Sequence, residues 1–172
     1  MFTEYLRMTE VAKHEGIKKI AELVKDIRIA MLVTLDERGR PRSRPMGTQD
    51  KPFDGTLWFL TNKNSGKLQE IARNPAVNVV YASTSAASYL SISGDADVLN
   101  DREKIREFWN PFLRAWFESA DDPDIRIIRV RVDEAEYWDT PGGKVASLFS
   151  LVKGAITGND DSSKDDNKKV HL

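Results

Sequence analysis

The sequence predicts a mainly β protein, a small antiparallel barrel with peripheral helices. Six short segments show the apolar alternation of strands, and most of them follow one another through short turns, as in hairpins. Helical periods occur at the start of the chain, between the third and fourth strands, and before the sixth strand. Strict alternation of strands and helices is absent, and so is the motif G-x-G-x-x-G, which argues against a dinucleotide-binding parallel sheet.

Length, charge and composition narrow the classes of function. The 172 residues suit one domain with a real core, and the net charge of -1 gives no electrostatic footprint for nucleic acid. The absence of cysteine excludes disulfides, thiolate metal sites and a cysteine nucleophile, and two histidines are too few for a histidine-rich metal site. No apolar run approaches the ~20 residues of a membrane span, and the N-terminal residues lack the apolar segment of a signal peptide. We therefore expect a cytoplasmic protein without a metal, a membrane or a nucleic-acid partner.

The first elements are a helix and a hairpin. Residues 9–26 have apolar side chains at helical spacing, and residues 28–35 change to the period of two that is typical of a strand. After a turn at Gly39 the chain returns as a second strand over residues 40–48. This second strand is unusual because it carries three arginines and two prolines, namely Arg40, Arg42, Arg44, Pro41 and Pro45.

The third strand leads directly into a helix that could hold an anion. Residues 57–60 form a short apolar strand, and after a polar turn a helix begins near Ser65 and Lys67. Free backbone N–H groups and the helix dipole at such an N-terminus fit a phosphate, and the two side chains could add donors. The alternative is that Asn64 or Ser65 simply caps the helix and that Lys67 is a solvated surface charge.

The second half of the chain predicts three more strands, over residues 76–83, 89–99 and 125–138. An apolar stripe between Ile105 and Phe117 predicts a helix in the core or at a subunit interface, with Pro111 either kinking it or starting a second helix. Residues 144–157 have the period of a last helix. Residues 158–172 are polar without an apolar period, so we expect a single domain over residues 1–157 followed by a disordered tail over residues 158–172.

Several short motifs occur in a specific order: Arg42-Ser43-Arg44-Pro45-Met46, Trp58-Phe59-Leu60-Thr61 with Ser65 and Lys67, Tyr89-Leu90-Ser91-Ile92-Ser93-Gly94, Trp116-Phe117, Asp122-Pro123 and Tyr137-Trp138-Asp139. Together they resemble the general stress protein 26 branch of the pyridoxamine 5'-phosphate oxidase-like, FMN-binding split-barrel superfamily. The resemblance covers roughly residues 10–142. It implies a six-stranded antiparallel split β-barrel of the Greek-key type, a homodimer, and a flavin at each of two sites between the subunits.

The resemblance and the chemistry of FMN together give the candidate cofactor-binding residues, which are Arg42, Arg44, Pro45, Met46, Thr61, Ser65, Lys67 and Trp138. The phosphate needs cations and donors, which Lys67, Ser65 and one strand-two arginine could supply. Arg44 is favoured over Arg42 because it directly precedes the Pro45-Met46 pair, although a period of two places both arginines on one face. The other interpretation of these arginines is a charged edge strand that resists aggregation.

The flavin ring needs backbone donors at its edge and apolar contact on a face. The second strand around Pro45 and Met46, together with Thr61 at the end of the third strand, is placed for that role. Trp138 matches a superfamily tryptophan that reaches the flavin of the partner subunit. FMN is favoured over FAD or a deazaflavin, and haem is disfavoured because no histidine lies near the motifs.

The sequence departs from the true vitamin B6 oxidases of this superfamily. Those enzymes resemble one another in an Arg-x-x-Leu-Leu-Lys stretch, where this chain has residues 44–49 with the sequence RPMGTQ, and in an Arg-Leu-His element, where residues 139–144 contain no histidine. We therefore expect a flavin-dependent oxidoreductase acting on an unknown small molecule, without an assigned catalytic residue, and not a pyridoxamine phosphate oxidase. The alternative is a flavin-binding stress protein without turnover, acting as a carrier, a buffer or a redox sensor.

Overall fold

A computed structural model describes residues 14–25, 27–49, 51–86, 88–139 and 167–171. The helices are α1 over residues 14–24, α2 (Gly66–Arg73), α3 (Arg102–Phe108) and a 3-10 helix (Pro111–Ala115). The strands are β1 (Ile29–Leu35), β2 (Pro41–Gly47), β3 (Thr56–Asn62), β4 (Ala76–Ser83), β5 (Ser88–Leu99), β6 (Ile125–Asp139) and β7 (Asn167–His171). The predicted helix over residues 144–157 and the first part of the predicted N-terminal helix lie outside the described residues.

Six strands pair in the order β2-β1-β4-β5-β6-β3, and every pair along this path is antiparallel. Because β3 lies beside β6 although β4 follows it in the chain, the strands β3 to β6 form a Greek key. The end strands β2 and β3 contact each other, but within the described part of the chain no hydrogen-bonded ladder joins them. The sheet is therefore a curled barrel with an opening between β2 and β3, as expected of a mainly β antiparallel protein.

The inner face of the barrel follows the predicted alternation of the strands. On β1 the buried side chains are Ala30, Leu32 and Thr34, whereas Ile29 and Met31 are 55% and 38% exposed on the outer face. The inner faces of β3, β4, β5 and β6 fill the same core, with α1 and α2 packed against it, and the fully buried side chains there include Phe59, Val79, Ile92, Ile128 and Val130. One face of β1 is therefore apolar and partly exposed within the described part of the chain.

A second, smaller core covers the outer side of β3 and β6. Ile105 and Phe108 of α3 pack there together with Phe117 and two isoleucines of β6. Trp58 of β3 joins this cluster, with its ring 5.6 Å from the ring of Phe108. Pro111 begins the 3-10 helix, so the apolar stripe is divided between two short helices and does not form one continuous face.

The structure describes five residues of the predicted tail, and they form a strand. β7 pairs with residues Glu134–Trp138 of β6, next to the stretch of β6 that pairs with β3. For these five residues the expectation of disorder differs from the structure, because backbone pairing to an open strand edge requires no apolar side chains. The rest of the tail lies outside the described residues, and the single domain over residues 1–157 stays a prediction.

Candidate functional site

A lysine is held in place at the start of α2 by two hydroxyl groups. The Lys67 ammonium donates to Thr61 Oγ1 at 2.9 Å and to Ser65 Oγ at 2.5 Å. Ser65 occupies the N-cap position of α2, yet its side chain makes no capping hydrogen bond. Simple capping by the Ser65 side chain is therefore not what the structure shows, and the hydroxyl group orients a cation beside the first N–H groups of the helix.

A second cation lies beside the same helix, in a network that joins β1, β2 and α2. The Arg44 guanidinium contacts Glu70 Oε2 at 2.6 Å through Nη2 and donates to Thr34 Oγ1 through Nη1. Thr34 in turn donates to Glu70 Oε2 at 2.5 Å. The side chains of Arg44 and Glu70 are only 21% and 17% exposed, so water screens this ion pair weakly.

The electrostatics of this cluster favour an added anion. Burial lowers the pKa of the Lys67 ammonium, the positive charge of Arg44 lowers it further, and the Glu70 carboxylate opposes both effects. The hydrogen-bond partners that the described residues give Lys67 are neutral hydroxyls, which do not balance its charge. An ammonium, a guanidinium, two hydroxyls and a helix N-terminus form a donor set that fits a phosphate group.

The structure brings four of the eight sequence-predicted residues into this cluster: Arg44, Thr61, Ser65 and Lys67. Arg42 lies on the same face of β2 as Arg44, but it is exposed and no hydrogen bond of its side chain is recorded among the described residues. The sequence analysis missed Thr34 and Glu70. Glu70 follows Lys67 by three residues on α2, so helical spacing could have placed the carboxylate beside the lysine.

Pro45 and Met46 directly follow Arg44 on β2. The side chains of Pro45 and Met46 lie on opposite faces of the strand. The Met46 side chain is buried in the main core and 6% exposed, so it does not line an open surface. Pro45 is exposed on the outer face, opposite Met31 of β1. Because β2 is an end strand of the paired path, alternate backbone groups of β2 point away from β1 toward the opening beside β3. A contribution of this segment to a ligand site would therefore come from its backbone.

Trp138 is remote from the cluster within one chain. Thr61 lies opposite Arg126 on β6, and Trp138 is twelve residues further along that strand, paired with Tyr89. Thr61 therefore pairs with one end of β6, and Trp138 lies near the other end. Trp138 also shares the outer face with the exposed Tyr89, whereas Thr61 is buried on the inner face. Trp138 is therefore not among the residues that form the cluster in one chain.

Comparison with known proteins shows which family and which relatives the chain is similar to. The family described as pyridoxamine 5'-phosphate oxidase like matches residues 15–162 of the chain. The protein bli-3 of Neurospora crassa is 28% identical over 161 residues, which cover 87% of this chain and 77% of the relative. General stress protein 26 of Bacillus subtilis is 26% identical over 121 residues, which cover 68% of this chain and 84% of the relative.

Solved structures agree with the fold. A crystal structure from Jannaschia sp., described as a general stress protein 26, has a TM-score of 0.70 at 24% identity and covers 92% of this chain and 99% of its own. A general stress FMN/FAD binding protein from Xanthomonas citri has a TM-score of 0.66 at 26% identity and covers 77% of this chain and 94% of its own. The curled six-stranded sheet and these similarities define a split β-barrel protein.

The chain belongs to the pyridoxamine 5'-phosphate oxidase-like family, and it is similar to proteins described as general stress protein 26. The resemblance seen in the sequence motifs is thereby confirmed, and so is the split-barrel fold that it implied. None of the described helices is long and apolar enough to cross a bilayer.

Proposed function

We propose that this protein binds flavin mononucleotide and holds the phosphate with Lys67, Ser65, Arg44 and the N-terminus of α2. The observation that carries the proposal is the half-buried Lys67 ammonium, which two hydroxyls orient and whose pKa burial and Arg44 lower. A phosphate dianion would supply the negative charge that this group needs. The relative from Xanthomonas citri, described as FMN/FAD binding, supports the choice of a flavin.

The flavin ring would extend from the phosphate cluster into the opening between β2 and β3. Thr61 is the last inward-facing residue of β3 and accepts a hydrogen bond from Lys67. On β2, Arg44 is followed directly by Pro45 and Met46. Backbone groups of this unpaired edge of β2 can bond the polar edge of the ring. A bound flavin supplies hydride and electron transfer by itself, so the protein needs only to bind, orient and shield it.

Two functions are compatible with such a site. The first is a flavin-dependent oxidoreductase acting on a small molecule, and the second is a carrier, buffer or redox sensor without turnover. Steady oxidation of a reduced nicotinamide, measured with a panel of electron acceptors, separates them. We favour the oxidoreductase because no ladder joins β2 and β3 among the described residues, so a small molecule could approach the proposed ring position there.

The proposed assembly is a homodimer in which each flavin lies between two subunits. The outer face of β1, β4 and β5 exposes the apolar side chains Ile29, Met31 and Tyr89, which are 55%, 38% and 45% exposed in one chain. A second copy would cover this face, since closed twofold dimers are the commonest solution for such a surface. Trp138 shares the face with Tyr89 and would then meet the flavin held by the partner.

The flavin assignment is tested by the visible spectrum of the purified protein and by the mass of the molecule that denaturation releases. We expect the absorption bands of an oxidised flavin and the mass of FMN, or the same bands after the apo-protein has been mixed with FMN. A protein that stays colourless after this reconstitution would refute the assignment.

We also predict that vitamin B6 phosphates are not oxidised at a useful rate. The chain lacks the Arg-Leu-His element that the true oxidases carry, and residues 44–49 of its second strand depart from their Arg-x-x-Leu-Leu-Lys stretch. The measurement is hydrogen peroxide release from pyridoxamine 5'-phosphate by the FMN-loaded protein. Chemical reduction of the bound flavin, followed by its reoxidation in air, is the control that the cofactor is competent. Sustained peroxide release above this background would contradict the prediction.

A further inference from the structure

We infer that Glu70 is a positioning residue of the phosphate site: with Thr34, it fixes the Arg44 guanidinium in the orientation that receives a phosphate. The inference rests on the proposed FMN site and adds a residue that the sequence motifs do not contain. Its basis is the closed triangle of hydrogen bonds that joins Glu70 of α2, Thr34 of β1 and Arg44 of β2.

The triangle restrains one side of the guanidinium. Nη2 of Arg44 lies 2.6 Å from Glu70 Oε2, and Nη1 donates to the Thr34 hydroxyl. Glu70 Oε2 accepts a second hydrogen bond from that hydroxyl at 2.5 Å, which fixes the hydrogen of Thr34 and leaves its lone pairs for Arg44. An arginine has five N–H donors, so these contacts leave further donors for a ligand.

Such anchoring has a direct benefit for binding. A free arginine side chain loses rotamer freedom when a ligand orders it, whereas an anchored side chain has already lost most of that freedom. The carboxylate also repels the phosphate, but it belongs to α2, whose N-terminus and Lys67 attract the ligand. We expect the positioning effect to exceed the repulsion, because Glu70 already shares its charge with Arg44 in a contact of 2.6 Å.

The test measures the affinity of the apo-protein for FMN and for riboflavin, which has the same ring and no phosphate. For Glu70→Ala we expect FMN affinity to fall by about tenfold, with riboflavin affinity unchanged. Glu70→Gln retains an acceptor oxygen, so FMN affinity should stay within about threefold of the unaltered protein or improve. Glu107→Ala is the matched control, because Glu107 forms an exposed ion pair with Lys51 on another surface; it should change neither affinity.

A double variant shows whether Glu70 acts through Arg44. In the Arg44→Ala single variant, the Glu70 carboxylate has lost its partner and would only repel the phosphate. Adding Glu70→Ala to that variant should therefore cause no further loss of FMN affinity and can raise it. Three results would overturn the inference. Glu70→Ala could bind FMN more tightly than the unaltered protein, or it could lose riboflavin affinity as much as FMN affinity. The third result is the same tenfold loss of FMN affinity from Glu70→Ala whether or not Arg44 is present. If the unaltered protein bound FMN no better than riboflavin, the phosphate site itself would be refuted, which is a separate outcome.

Discussion

Replacing Lys67 by alanine should lower the affinity for FMN by about tenfold to a hundredfold and leave riboflavin binding nearly unchanged. The side chain would lose a charge-assisted hydrogen bond to the phosphate, which contributes roughly 1.5–3 kcal/mol. Riboflavin has no phosphate, so its binding depends on the ring site alone. Fluorescence titration of the apo-protein with both ligands gives the two dissociation constants.

Lys63 provides a matched control in the turn that precedes α2. Its ammonium forms an ion pair with Asp124 at 2.6 Å and its side chain is 41% exposed, so Lys63→Ala should change neither affinity by more than about twofold. A variant that merely loosened the fold would weaken both ligands and lower the melting temperature of the apo-protein. Equal losses for FMN and riboflavin in Lys67→Ala, at an unchanged melting temperature, would contradict the phosphate assignment.

A lysine in place of Met31 should convert the proposed dimer into monomers. Met31 is 38% exposed on the outer face of β1, so the isolated chain can hold a charge there, whereas a dimer would bury it without a partner. An unpaired buried charge costs about 3–5 kcal/mol, which would weaken the dimer by a factor on the order of a hundred to several thousand. Analytical ultracentrifugation of the FMN-loaded protein measures this change.

The same Met31→Lys variant should also lose flavin, because the proposed site includes Trp138 of a second copy. Ser119→Lys places the same charge on an exposed loop away from this face and should leave the assembly and the flavin content unaltered. A Met31→Lys protein that sediments as the unaltered protein does would show that this face is not the subunit interface. A monomer that keeps its flavin would show that the site is complete within one chain.

The sequence predicted the barrel well because its strands carry strong local signals. β4 and β5 lie where the sequence predicted strands, and their alternating residues Val77, Val79, Leu90 and Ile92 are buried. The period of β1 did not show which of its two apolar faces points inward, since Ile29 and Met31 are as apolar as Ala30 and Leu32. Only the assembled sheet distinguishes a core from an uncovered outer face.

The candidate site was predictable where its residues are close in sequence. Thr61, Ser65 and Lys67 lie on one strand, turn and helix, so local spacing was enough to group them. The Arg44–Glu70 pair joins residues 26 positions apart, and Thr34 reaches Glu70 over 36 positions. A period of two could not separate Arg42 from Arg44, because only the packing of α2 against β1 brings Glu70 to Arg44 as a partner. The residues that distinguish the site are therefore those that tertiary contacts bring together.

The most direct test of the central claim is the ratio of the dissociation constants of riboflavin and FMN for the unaltered apo-protein. A phosphate held by Lys67, Ser65 and Arg44 through charge-assisted hydrogen bonds predicts that FMN binds at least about tenfold more tightly, at one flavin per subunit. A ratio near one would mean that the cluster at the start of α2 does not receive the phosphate. It would contradict this account even if the protein bound a flavin.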